Sequence, residues 1–370
     1  MARKIKQEYY RLDDLLSIEA NYYILLGERS NGKSYAVKEH ILERAYKERK
    51  KFMLLRRYSD DIKNPLVNAY FSDMIEYIIK MTKGTFNNIF CKNGKIFMEY
   101  IDEDGEQQNV IDIGYVRSLS QAERLKSNSY LDVDEIVFEE FIATGCYLPM
   151  EINLFESIIS TVARRRRIKV FMIGNTISRN CIYFQHFSLL NVPKQEQGTI
   201  DIYEMPTDPP QYNDDGTEVV VRIAVELCEN KTANTKMFAG NSQKAISNGA
   251  WTSEVQPKIK FKDSFEELYR VVFKFRMAMF LGRFYVDNEN GDMFWVVEPK
   301  VKPIRDGTRV ISDEINPSAL YTSNLTPLFT QEKIMFDYIK RDKVFYSDNL
   351  TGTEFKEAIK YFINNKIGYR

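Results

Sequence analysis

Eight residues near the start of the chain, Gly27-Glu28-Arg29-Ser30-Asn31-Gly32-Lys33-Ser34, have the types and spacing of a phosphate cradle. Gly27 and Gly32 free the backbone to wrap an anion with its N–H groups, and a helix opening at the end of the run adds the positive pole of its dipole. Lys33 is suited to neutralise β- and γ-phosphates, and the Ser34 hydroxyl to ligate Mg2+. The chemistry is that of ATP bound with Mg2+. No N-K-x-D guanine signature accompanies it.

Such a cradle needs a second carboxylate at the end of a neighbouring strand. Ile136-Val137-Phe138-Glu139-Glu140 ends an apolar run in two acids. Glu139 takes the metal-ordering place usually held by an aspartate, one methylene longer, and Glu140 is placed as general base for the attacking water. Gly174-Asn175-Thr176 closes another apolar run, where Asn175 is either a turn residue or a sensor of the γ-phosphate. Arg164 to Arg167 end an amphipathic segment; capping of helix carbonyls explains part of that charge. At 100° per residue Arg166 continues the stripe of Phe155, Ile159 and Val162 while Arg164 points away, and one of the two is expected to reach a neighbouring subunit's γ-phosphate as an arginine finger. Arg56 and Arg57 end the strand after the cradle's helix, and Lys126 precedes the acidic strand; each is a solvated cation or a site residue.

The elements that must position these groups follow from periodicity. Asn21 to Gly27 reads as a buried strand and Ser34 to Lys51 as a helix with a charged outer face. A strand at Phe52 to Leu55 comes next, and residues 84–117 read as a β-meander turning at Asn93-Gly94 and Asp104-Gly105. A short helix (118–127), a strand (135–139), a helix (151–167) and a strand (168–173) complete the alternation, which predicts an α/β fold with a parallel sheet covered on both faces. Thr207 to Gly216 is a Pro/Asp/Gly loop, followed by a strand candidate at 218–229 and a polar stretch to 249. The expected division is an ATPase domain over 1–195, a linker region over 196–252 and a smaller α+β domain over 253–370. The last has strands at 269–280 and 284–297 and helices near 327–340 and 353–364.

The 52 basic and 52 acidic residues cancel, so contact with DNA must be local or made by a ring of copies. Four scattered cysteines and two histidines argue against zinc and for reduced core thiols. No stretch has the apolar length of a membrane span, and the first residues lack the apolar core of a signal peptide, so a soluble protein is expected. A glutamate base beside the metal-binding acid, distant from the cradle, indicates a machine that hydrolyses with its own base. That makes a ring motor the leading class.

Taken together, GERSNGKS, the strand ending LLRR, the helix SLSQAERLKS before IVFEEF, the FESIISTVARRRR helix and the strand ending MIGNT resemble the DNA-encapsidation ATPases of small short-tailed phages. The resemblance covers about residues 15 to 190 and is carried by layout beyond them. It implies a P-loop domain of the additional-strand, catalytic-glutamate type in a homo-oligomeric ring, typically a pentamer. The ring would drive double-stranded DNA through the portal of a procapsid, in some members with a structural RNA between portal and motor. It also implies Lys33 and Ser34 at the phosphates, Glu139 at the metal, Glu140 as base, the Arg164 to Arg167 region acting in trans, and Lys126 as a second trans-acting cation. The setting implied is the host cytoplasm, transiently at the portal vertex, and not the mature virion.

Related motors carry an RNase H-like nuclease at the C-terminus, with acids at strand ends holding two metals. Here the strands carry Lys274, Arg276 and Arg283, and Asp287, Glu289 and Asp292 crowd a turn. A vestigial nuclease fold without cutting activity is expected, with Lys258, Lys260 and Lys262 alternating on one strand face as a phosphate or RNA contact. The alternative is a cellular P-loop translocase or helicase.

Overall fold

The computed structural model describes residues 10–27, 31–126, 128–143, 147–175, 181–207, 209–212, 215–229, 255–275, 278–300, 304–313, 315–323 and 330–367. Their helices are α1 (Asp13–Leu16), α2 (Lys33–Lys47), α3 (Asn64–Phe71), α4 (Ile75–Met81), α5 (Ala122–Leu125), α6 (Glu151–Ala163), α7 (Ile182–His186), α8 (Thr330–Lys340) and α9 (Asn349–Ile367). Nine strands form the first sheet: β1 (Tyr22–Gly27), β2 (Lys51–Arg56), β3 (Asn88–Lys92), β4 (Lys95–Ile101), β5 (Gln107–Ser118), β6 (Val133–Glu139), β7 (Lys169–Asn175), β8 (Thr199–Pro206) and β9 (Val220–Leu227). Their spatial order is β3-β4-β5-β2-β6-β7-β1-β9-β8.

The six strands from β5 to β9 in that order run parallel, and β3, β4 and β8 add antiparallel edges. Because side chains alternate across a strand, each apolar run feeds two cores. Ile24, Met53, Phe138 and Met172 join Phe155, Ile158 and Val162 of α6 on one face. Tyr23, Phe52, Val137 and Phe171 join Val37, Ile41 and Leu42 of α2 on the other. The predicted parallel sheet covered on both faces is therefore what forms. Strand β7 lies between β1 and β6, the extra strand that the additional-strand arrangement requires.

Several expectations are corrected. The meander at 84–117 does not simply precede the next parallel strand, because β5 itself joins the sheet in parallel beside β2. Its first turn has Asn93 and Gly94 at φ 52° and 71°, the left-handed pair that a tight hairpin demands. The region expected to connect the domains contributes two strands to the first sheet: β8 (Thr199–Pro206), which was not expected, and β9, which matches the strand candidate at 218–229 and pairs in parallel with β1. Helix α6 stops at Ala163 instead of running to Arg167, since Arg164 and Arg165 turn left-handed at φ 40° and 70°. The stripe geometry assumed for the arginine run therefore ends at residue 163.

The second sheet contains β10 (Phe265–Phe275), β11 (Ala278–Asp287), β12 (Met293–Pro299), β13 (Val310–Ser312), β14 (Tyr321–Thr322) and β15 (Val344–Tyr346), ordered β14-β13-β10-β11-β12-β15. Three antiparallel strands replace the two that were expected, because the chain also reverses between Phe275 and Ala278. Phe273, Phe284 and Trp295 pack against Phe336 of α8 and Phe355 of α9, and the Trp295 indole donates to the Met335 carbonyl at 2.9 Å. Residues 255–262 form no strand, so Lys258, Lys260 and Lys262 do not alternate on a sheet face, and Lys262 pairs with Glu289 at 3.4 Å. Asp287 of the acidic turn is buried and accepts the Glu289 N–H at 3.1 Å. Arg276 and the remainder of the connecting region at 230–252 lie outside the described residues. No helix among the described residues is long and apolar enough to cross a membrane.

Candidate functional site: a nucleotide site at the strand ends

The chain leaves β1 at Gly27, whose φ of 148° is open to glycine; a Cβ there would meet Asn31 Nδ2 at 3.0 Å and the Cys228 carbonyl oxygen at 3.1 Å. Gly32, at φ 95°, is the residue before α2. Glu28, Arg29 and Ser30 lie outside the described residues. Asn31 is buried and its Oδ1 accepts from the Lys33 N–H at 3.2 Å and from Lys33 Nζ at 3.0 Å. Its Nδ2 is a buried donor with no partner among the described residues. A buried ammonium, an orphaned amide donor and the positive end of a 15-residue helix all present positive potential at the cradle, which fits a polyphosphate.

Glu139 ends β6 two strands away, and β7 bridges the gap in register: Glu139 lies opposite Ile173, and Asn175 lies opposite Gly27. The Glu139 carboxylate is buried and accepts the Tyr70 hydroxyl at 2.6 Å, with the Ser34 hydroxyl close beside it. Burial pushes its carboxyl up, against the Tyr70 and Ser34 hydroxyls. Ser34 and Glu139, predicted from opposite ends of the sequence motif set, thus share one spot. A hydroxyl and a carboxylate so placed are a donor set that suits Mg2+.

Glu140 follows in a left-handed conformation, φ 56°, which turns its side chain out of the strand to the surface. Arg56 Nη2 donates to Glu140 Oε2 at 2.9 Å. Arg57 is buried beneath. Its Nη1 donates to the Glu140 carbonyl at 3.0 Å and its Nη2 to the Phe141 carbonyl at 2.6 Å, while its Nε bonds both oxygens of Glu151 at 3.1 and 2.9 Å. Glu151 also accepts the Tyr183 hydroxyl at 2.8 Å and the Leu148 N–H at 2.8 Å. The Arg57 guanidinium lies 5.2 Å from the Tyr147 ring centroid. The turn carrying Glu140 is therefore pinned from below through its backbone.

The structure brings together Gly27, Asn31, Gly32, Lys33, Ser34, Glu139, Glu140, Asn175, Arg56 and Arg57 at the C-terminal ends of the parallel strands, where open α/β sheets place their ligands. It does not bring Arg164, Arg166 or Lys126 there. The arginine run precedes β7, and a seven-residue strand at roughly 3.3 Å per residue separates it from Asn175 by about 20 Å. Arg166 is spent on its own subunit, bonding Asp134 at 3.3 Å and the carbonyls of Tyr130, Val133 and Val162. Arg164 is exposed and donates to the Asn128 carbonyl at 2.7 Å. Lys126, two residues before Asn128, is exposed and pairs with Glu123 at 2.7 Å. Sequence reasoning missed Tyr70, Lys38, Glu151 and Tyr183. One signal was available for Lys38: a lysine four residues after Ser34, on the inward face of an amphipathic helix.

The profile of the podovirus DNA encapsidation protein family (Gp16) matches residues 4–254. The DNA packaging protein of Bacillus phage B103 is 25% identical over 266 residues, 65% of this chain and 77% of that protein. The DNA packaging protein of Bacillus phage phi29 is 28% identical over 189 residues, 50% of this chain and 52% of that protein. The viral genome packaging motor assembly of bacteriophage phi29 contains a chain of similar fold, with a TM-score of 0.51 and 19% identity over 97% of this chain and 99% of that one. With its phosphate cradle, paired acids and intervening strand in place, the chain belongs to the podovirus DNA encapsidation protein family (Gp16).

Proposed function

We propose that the chain hydrolyses ATP at this site as one subunit of a homo-oligomeric ring, a pentamer, that drives double-stranded DNA through the portal of a procapsid. The observation that carries the reading is the contact of Ser34 with Glu139 beside Lys33, with Glu140 on the adjoining turn. Lys33, the cradle backbone and Asn31 hold the phosphates. Ser34 and Glu139 would hold Mg2+, which would neutralise phosphate charge. Glu140 orients water and accepts its proton, which requires that the carboxylate leave Arg56 or share it. Asn175, half-buried and opposite Gly27 in the sheet register, is the γ-phosphate sensor.

Arg164 and Lys126 lie too far from this cradle to serve it, so their charge acts on the neighbouring subunit. Of the two arginines favoured by sequence, Arg166 is committed to Asp134 and three carbonyls, and the finger falls to Arg164. Residues 10–229 form the ATPase domain. The C-terminal domain is a vestigial nuclease fold that docks and does not cut: Asp287 is engaged by its own turn, and Lys262 neutralises Glu289. The motor works in the host cytoplasm, at the portal vertex, and is absent from the mature virion.

The family match disfavours a cellular translocase or helicase. The test is Glu140→Gln, expected to keep ATP binding while turnover falls about 10²- to 10⁴-fold. Unchanged turnover would reject Glu140 as base. Mixing Glu140→Gln with Arg164→Ala subunits should restore activity, since some interfaces then pair an intact base with an intact finger; no restoration in any mixture rejects the finger.

A further inference from the structure

The Tyr70 hydroxyl at the Glu139 carboxylate has no counterpart in the sequence motifs. Tyr70 lies on α3, a helix that contributes nothing else to the cradle, yet it delivers its phenol to Glu139 Oε1 at 2.6 Å. Its placement is enforced from α2. Lys38 is four residues after Ser34, hence one turn along the same helix face. The Lys38 ammonium is buried, donates to the Tyr70 carbonyl at 2.9 Å, pairs with Asp73 at 2.6 Å and lies 4.8 Å from the centroid of the Tyr70 ring. A cation over the ring face withdraws electron density and strengthens the phenol as a donor.

The helix that carries Ser34 therefore also anchors the group that holds Glu139. This matters because Glu139 is a glutamate where one methylene less would reach the same spot. The added torsion lets its carboxylate occupy several orientations, and the terminal torsion of a glutamate is broad. With Oε1 tied to the phenol, the carboxylate cannot rotate about its last bond without breaking that contact. We infer that Tyr70, anchored by Lys38 and Asp73, is a positioning residue that fixes the longer Glu139 carboxylate against Ser34 for divalent-cation binding. The inference rests on the reading that Ser34 and Glu139 hold Mg2+.

Tyr70→Phe removes one oxygen and leaves the ring packed, so the fold is preserved. In the full-length chain, Mn2+ affinity of the protein–ATP complex, read by electron paramagnetic resonance, should weaken about 10- to 100-fold. The Mg2+ concentration for half-maximal turnover should rise in parallel, while ATP affinity in EDTA stays within twofold of the parent. In a Glu139→Asp background, whose carboxylate is withdrawn from the phenol, Tyr70→Phe should change Mn2+ affinity less than twofold. Unchanged Mn2+ affinity in Tyr70→Phe, alongside a loss in Glu139→Gln, overturns the positioning role alone. An equal loss of ATP affinity in EDTA overturns it as well, since the phenol would then act on the cradle at large. Unchanged Mn2+ affinity in Glu139→Gln removes the metal reading beneath it.

Discussion

Replacing Arg57 by methionine separates two roles that one guanidinium performs. Its side chain is 8% exposed and that of Glu151 is 0% exposed, so the substitution strands a carboxylate whose remaining partners among the described residues are the Tyr183 hydroxyl and the Leu148 N–H. Breaking a buried pair on one side costs about 3–5 kcal/mol. It also releases the Glu140 and Phe141 carbonyls, which hold Glu140 in a left-handed conformation that a non-glycine residue adopts at a cost of about 1–2 kcal/mol. Relaxation of that turn displaces the Glu140 carboxylate by on the order of 1 Å, worth about 100-fold in kcat. Replacing both Arg57 and Glu151 by methionine removes the stranded charge and recovers roughly 2 kcal/mol, yet leaves the carbonyls without their donor. Urea unfolding and steady-state ATPase assays on the two variants should therefore diverge: stability partly returns in the double variant and kcat does not. If kcat recovers in step with stability, Arg57 acts on catalysis only through the fold, and the positioning argument fails.

Three further outcomes follow from named contacts. Glu135 is buried between His40 at 2.9 Å and Arg44; burial acts to raise its carboxyl, but His40 and Arg44 outweigh it and hold the carboxyl below its ordinary 4.5. A depressed carboxylate contributes stability above its unfolded value and loses it as pH falls through the folded one, so thermal melts from pH 7 to 3 should show Glu135→Gln less stable than the parent near neutrality and the gap closing below 4.5. Gly282→Ala places a Cβ into the Phe273 ring and 3.0 Å from Trp295, and should cost about 1–3 kcal/mol in urea unfolding while ATP affinity is unchanged. Lys33→Ala should abolish detectable ATP binding in a fluorescent-nucleotide titration, because it removes the buried ammonium at the cradle.

The parts of the site that sequence revealed are those built from contiguous residues at fixed spacing. GERSNGKS specifies its own strand, turn and helix, and an apolar run ending in Glu139-Glu140 specifies a strand tip, so both could be placed without knowing the sheet. Their meeting depends on β7 lying between β1 and β6, a consequence of strand order that alternation alone implies only loosely. Arg57 was legible as a residue at the crevice, but its partner Glu151 is 94 residues away, and no local pattern links them. Strand β9 was legible as the candidate at 218–229, but β8 and the place of both in the first sheet were not, because the Pro/Asp/Gly loop between them signals a break in the chain and says nothing of the pairing of β9 to β1. Arg164 and Arg165 end α6 through backbone conformations that arginine seldom adopts, so a periodic pattern could not announce them. Tyr70 was hidden in a mixed-polarity stretch, 58–83, that carries neither a cradle nor a strand.

The central claim, that this nucleotide site powers DNA packaging through Glu140, is tested most directly by measuring ATP turnover and DNA uptake by the parent and Glu140→Gln chains with and without portal-bearing procapsids. The predicted result is turnover stimulated by procapsids, with DNA becoming nuclease-protected for the parent, and neither for Glu140→Gln despite retained ATP binding. Turnover indifferent to procapsids, or DNA protected equally by Glu140→Gln, would contradict it.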